Sequence, residues 1–206
     1  MQYLDPSEYE AHGLEADTLS SWIAAASALI DAHCRRTTLG VAQYAERVRV
    51  GACNTARLTY LPLATVAPAT TPLISVRVRY VMPRRGDELA NMANDFARIF
   101  GLPGTWSELD ISNIDYQSTT GELTLPINPL GLVYNEMDVT YNAGLAEIPD
   151  AVKFACVQIV RNAQATPALN VRANSLDQMH MEYFANTLID DTVRKILAPY
   201  VAQRIA

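Results

Sequence analysis

Residues 139–162 read VTYNAGLAEIPDAVKFACVQIVRN. A short β-branched and aromatic run stops at Gly144, and Pro149 fits the first position of the helix that follows. Val152, Ala155, Cys156, Ile159, Val160 and Ala163 then recur at three- and four-residue steps. Phe154 and Val157 fall off that stripe, so the helix is expected to pack on two sides. Gly144 allows a sharp exit from the strand, and Pro149 fixes where the helix begins. These two residues mark the joint between a β region and a helical one.

On the N-terminal side, Asp5-Pro6 and SEYEAHG predict a short helix stopped at Gly13. Asp17 is then expected to cap a longer helix, TLSSWIAAASALIDAHCRR. Its apolar stripe is Leu19, Trp22, Ile23, Ala26, Leu29, Ile30 and His33. Glu15 and Asp17 at the start and Arg35 and Arg36 at the end suit the helix dipole. The alanine run 24–26 would let a neighbouring helix come close.

The middle changes period. ERVRV (46–50), ARLTYLPL (56–63), LISVRVRYV (73–81) and YNEMDVTYN (134–142) alternate as strands do. Prolines 62, 68 and 72 interrupt the run, residues 87–99 predict a short helix, and IDYQSTTGELTL predicts a hairpin turning near Thr120-Gly121. Beyond the quoted stretch, QATPALNVRANS predicts a loop and LDQMHMEYF a strand or extended arm. A last helix begins near Asp190-Asp191, with Ile189, Val193, Ile196 and Leu197 on one face, and Pro199 halts it. The expected class is α+β: a small helical bundle from residues 1–42 and 144–206, carrying a C-terminal arm. Residues 43–143 form an antiparallel β-rich insertion in one domain.

Composition narrows the function. Half of the 206 residues are apolar and 18% are charged, enough to bury a core. The formal net charge of −6 argues against a general nucleic-acid binder. No secretory leader and no apolar run of membrane-spanning length is read, so a cytosolic origin with reduced thiols and no membrane partner is expected. Cys34, Cys53 and Cys156 are odd in number and far apart, offering neither a disulfide framework nor a CxxC clip.

Chemistry is sparse. His12, His33 and His180 sit in separate segments, and the adjacent His33-Cys34 pair diverges by about 100° on a helix. Asp190 and Asp191 are explained by a helix start, and Cys156 by the core. GxSxG, HExxH, P-loop and GxGxxG motifs are absent. Arg47, Arg49, Arg77 and Arg79 alternate with valines, giving a half-buried sheet with a basic outer side; phosphate contact there is the weaker alternative. No catalytic, metal or cofactor-binding residue is assigned, no cofactor is expected, and an enzyme is disfavoured.

The order of these pieces resembles the head–tail connector proteins of long-tailed bacteriophages, also called adaptor or head-completion proteins. The shared features are the early LSSWIAAASALIDAHCRR helix ending at a Cys/Arg cluster, the VTYNAG strand, the helix opened by Pro149, and the closing LAPY. The resemblance spans about residues 3–40 and 120–200; in the middle only an LP…P…SV pattern matches, and residues 87–99 with GLPGTWSELD are longer than in smaller members.

That resemblance implies a structural virion protein, made in the bacterial cytoplasm and placed in the neck between capsid and tail. It implies a closed ring of copies, a dodecamer, beneath the portal after DNA packaging, extending the DNA channel and offering a platform to the next neck, stopper or tail protein. Viral DNA would pass without sequence-specific binding, and an acidic ring would repel its phosphates. Trp22, Ile23, Ala26, Ile30, Phe154, Val157, Ile159 and Val160 are the expected bundle and subunit-interface residues. Tyr200, Val201, Arg204 and Ile205 in the tail are the expected portal contacts. Two other functions stay open: another virion ring (a stopper, head-closure or tail-completion protein), and a small soluble enzyme with a site formed between subunits.

Overall fold

Strands form where the sequence alternates, and helices where it steps by three and four. In chain order they are α1 (Ser20–Cys34), β1 (Ala42–Arg49), β2 (Thr55–Arg57), β3 (Leu73–Arg79), β4 (Ser107–Glu108), β5 (Asp115–Tyr116), β6 (Glu122–Thr124) and β7 (Glu136–Ala143). They continue with α2 (Asp150–Ala165), β8 (Ala173–Leu176), β9 (Met179–Glu182) and α3 (Asp191–Leu197). The structure is a computed structural model and describes residues 1–79, 92, 106–127, 134–165, 173–176, 179–182 and 188–202. The class is α+β. Two compact units divide the chain: Met1–Leu39 with Glu147–Val201, and Gly40–Ala146 with Ala202–Ala206.

The second unit is built on an antiparallel sheet in the order β1-β7-β3-β4, with β7 central. Register places Val76 opposite Val139 and Val78 opposite Met137, and all four are fully buried. Each contributes roughly 1.5–3 kcal/mol through removal from water. The alternate residues of the same strands, Arg47, Asp138 and Arg77, stand in one cross-strand row on the other face. A smaller sheet, β2-β6-β5, adds Ala56 and Leu123 to the core, and Ile114 joins them from just before β5. Its β5–β6 hairpin turns at Gly121, whose φ is +66°.

Only the first part of 56–63 is a strand. Beyond Arg57 the amides bond elsewhere: Leu58 to the Gly121 carbonyl, Thr59 to the Glu46 carboxylate and Tyr60 to the Tyr141 hydroxyl. With those donors engaged and Pro62 lacking one, the segment leaves the sheet. The helix expected over 87–99 lies outside the described residues.

The close approach at Gly144 fixes how β7 ends. Its φ is +138°, and a Cβ there would fall against the Gly40 carbonyl and 2.8 Å from the Val41 Cα. The Gly144 amide donates to Pro62 at 2.9 Å, and Leu145 bridges Gly40 in parallel. No side chain fits that space.

In the first unit, α1 starts two residues later than expected. Leu19, extended at ψ 130°, occupies the cap position without a side-chain bond, so Asp17 does not cap the helix. Thr18 instead closes a turn onto the Glu15 carbonyl. At the other end Arg35 turns left-handed (φ 56°), and its amide and that of Arg36 satisfy the last carbonyls. Pro149 stands just before α2, one place earlier than the first helical position. Its carbonyl accepts from the amides of Val152 and Lys153. Asp190 caps α3, its carboxylate accepting from Val193 at 2.7 Å.

The core of this unit takes Ile23, Ala26, Ile30 and Cys34 from α1, Val152, Ala155, Cys156, Val157, Ile159 and Val160 from α2, and Val193 and Leu197 from α3. Leu19 and Trp22, placed on the buried stripe by periodicity, are exposed. Val157 is buried and Phe154 is not, so α2 buries a broader face than its stripe while Phe154 points outward. β8 and β9 pair antiparallel, Ala173 opposite Glu182 and Leu176 opposite Met179. The sequence gives the first strand to a loop and the second to a single arm.

Replacing Gly144 with alanine is expected to lower stability by more than about 3 kcal/mol, since both the dihedral and the contact with Gly40 are violated. Chemical denaturation of the two proteins measures this; a loss below 1 kcal/mol, at the scale of an ordinary surface change, would contradict it.

Candidate functional site

Three surfaces hold the residues that could carry function.

The first is the outward face of α1. Ser20, Ser21, Trp22, Ala24, Ala25, Ala28 and Ala32 are exposed, and none of them is charged. A helix exposed to water ordinarily carries charges on that face. Leu19 is 64% exposed just before it, and Trp22 is 39% exposed. On α2, Phe154 is 45% exposed. Of the eight expected interface residues, Ile23, Ala26, Ile30, Val157, Ile159 and Val160 are inside the unit; Trp22 and Phe154 offer surface.

Below that face, Ser27 and Tyr3 carry the hydrogen bonds. Ser27 donates to the Ile23 carbonyl at 2.7 Å and accepts from the Tyr3 amide at 3.2 Å. Tyr3 donates its hydroxyl to Asp31 and receives the Leu39 amide at 2.7 Å. Burial, then the bond to Asp31, pushes the Tyr3 hydroxyl up to about 12. Burial likewise raises the Cys34 and Cys156 thiols to about 11, which leaves both protonated and poorly nucleophilic at neutral pH. The N-terminal segment is tied to α2 by Lys153–Glu8 at 2.5 Å and by Arg161, which donates to the Gly13 carbonyl at 2.6 Å. The ion pair lowers Glu8 and raises Lys153 from their ordinary values.

The second surface is the outer side of the large sheet. Arg47 and Arg79 both bond Glu136, through Nε at 3.0 and 2.9 Å, and Arg77 pairs with Asp138. Trp106 lies over all three guanidiniums, 4.5 Å from Arg79, 5.2 Å from Arg47 and 5.8 Å from Arg77. What the sequence suggests as a basic side is therefore a row of arginines held by acids of the central strand under an indole. The pairing is visible only with register, since Glu136 and Asp138 lie about 60 to 90 residues from their partners. Each exposed pair is worth about 0–1 kcal/mol, so the row's effect is chiefly to satisfy charge.

The third surface is the C-terminal segment. Ala198–Tyr200 continue α3 as a short 3-10 turn, and Tyr200 and Val201 are half-buried. Arg204 and Ile205 lie outside the described residues. Among the described residues no three His, Cys, Asp or Glu side chains gather where a metal ion could sit. No helix among them is long and apolar enough to cross a membrane.

Neutralising Glu136 and Asp138 together, as E136Q/D138N, is expected to free three guanidiniums and make the chain bind heparin-agarose at low salt. Wild type should pass through the same column. Equal elution of the two proteins would show that these acids do not mask the row.

No protein-family profile matches the chain, and no curated protein sequence matches it significantly.

Proposed function

We propose that this chain is a structural virion protein that assembles into a closed ring, a dodecamer, between the portal and the tail or neck of a long-tailed phage. In that place the ring extends the DNA channel and serves as the platform for tail attachment. The observation that carries the reading is the uncharged outward face of α1, with Trp22 at its start, on a helix whose other side already fills a core. Exposed apolar faces of this kind mark contact with another protein. A ring contact joins two different patches of the same chain, and among the described residues of the unit Phe154 on α2 is a second exposed aromatic. The net charge of −6 per chain supports a conduit that does not hold DNA. The masking of Arg47, Arg77 and Arg79 by Glu136 and Asp138 acts in the same direction.

Native mass spectrometry and negative-stain images of the purified chain, alone and mixed with portal protein, test the assembly. Rings are expected with portal, and W22E or A25E is expected to give folded monomers, because each puts a charge on the outward face. A wild-type chain that stays monomeric with portal present would overturn the proposal. Rings that join a tail tube and ignore portal would favour a stopper or tail-completion protein.

Tyr200, Val201, Arg204 and Ile205 are assigned to portal contact. Removing residues 200–206 is expected to abolish co-sedimentation with portal while the circular dichroism spectrum is unchanged; undiminished co-sedimentation would remove the tail from the contact.

A further inference from the structure

In the second unit an open channel lies between β1 and the β2 segment. β1 is an edge of the large sheet and β2 an edge of the small one, and no strand lies beyond either on that side among the described residues. The channel holds about 1180 Å³ and is lined by Ala45–Arg49 and by Thr55, Arg57, Thr59 and Tyr60, among others. At one end the Gly51 amide closes it by donating to the Thr55 carbonyl at 2.8 Å. Toward the other end Tyr44 and Tyr60 stack with ring centres 4.0 Å apart. Between these, the Glu46 side chain reaches across to the Thr59 amide at 2.8 Å and also accepts the Tyr141 hydroxyl. The two backbones are thus tied at both ends and by a side chain, but not paired along their length.

Antiparallel alternation says which groups face the gap. Val50 donates to Asn135, and Asn142 of β7 bonds Pro72 and Ala64 away from β1. Hence Tyr44, Glu46 and Val48 share backbone bonds with β7, while Ala45, Arg47 and Arg49 turn their N–H and C=O groups outward. On β2, Leu58 and Asn54 bond toward the β6 side, so Arg57 turns its backbone groups toward the channel. The side chains at its rim are basic. Arg49 has no ion-pair or hydrogen-bond partner among the described residues, and Arg57 uses only its Nε, on the Thr120 carbonyl at 3.2 Å. Glu122 is the acid at that rim, and the Glu46 carboxylate is already engaged.

We propose that this channel receives an extended, acidic segment of a partner protein, added as a strand against β1. Edge strands with open backbone groups pair readily with an incoming strand, and natural proteins usually block them. Residues 45–49 offer about 16 Å of edge, room for four to six extended residues. Arg49 and Arg57 supply charge complementarity on a chain that is otherwise acidic. The proposal does not depend on the ring.

Fluorescence anisotropy with a fluorescein-labelled hexapeptide of alternating glutamate and threonine, titrated with the full chain, tests it. Saturable binding that weakens with added salt is expected. R49E/R57E should weaken it roughly tenfold or more through lost charge. A45P, which removes one outward N–H while leaving the β1–β7 bonds intact, should do the same. A hexapeptide N-methylated at alternate amides, on whichever edge of it faces β1, should not bind, and this arm needs no folded variant. The proposal is overturned by absent binding to wild type. It also falls if the methylated peptide binds equally, since charge alone would then account for the contact. Self-association of the chain that A45P abolishes, with no peptide binding, would make a second copy the occupant and likewise overturn it.

Discussion

Much of the second unit depends on the near contact of two glycines. The chain enters the unit just after Leu39 and leaves it after Ala146, and Gly40 and Gly144 approach each other just before β1 and just after β7. Ala42 opposite Ala143 is the first pair of the β1–β7 ladder, so this contact also starts the register. A slip of one residue would move Val139 and Met137 to the water side and carry the acids inward. Every feature of the outer row, including the sharing of Glu136 by two arginines, follows from that alignment.

Much of this was legible in the residues. Alternation located β1, β3 and β7, and the stripe from Val152 to Val160 named the buried face of α2. Periodicity could not tell which apolar residues of α1 would find a partner. Leu19 and Trp22 satisfy the spacing and are still exposed, Leu19 at 64% and Trp22 at 39%. The late start of α1 is not legible in the sequence, because Asp17 has a capping side chain but sits in a turn that does not lead into the helix. The shortening of β2 arose from side chains distant in sequence, Glu46 and Tyr141, taking amides that a strand would have used. Charge pairing across strands was hidden for the same reason: it belongs to register, and register is not a local property.

The two units present different surfaces. One offers an apolar helix face with no charge on it, suited to burial against protein. The other offers charges that are compensated in place, with an unpaired edge beside them.

The two tryptophans of the chain fall one in each unit. Trp22 is partly exposed on a helix, whereas Trp106 rests on guanidinium groups, so their emission responds to different surroundings. Substituting either by phenylalanine leaves a single tryptophan, and with excitation selective for indole the unfolding of the helical unit and of the sheet unit can be followed separately without any label.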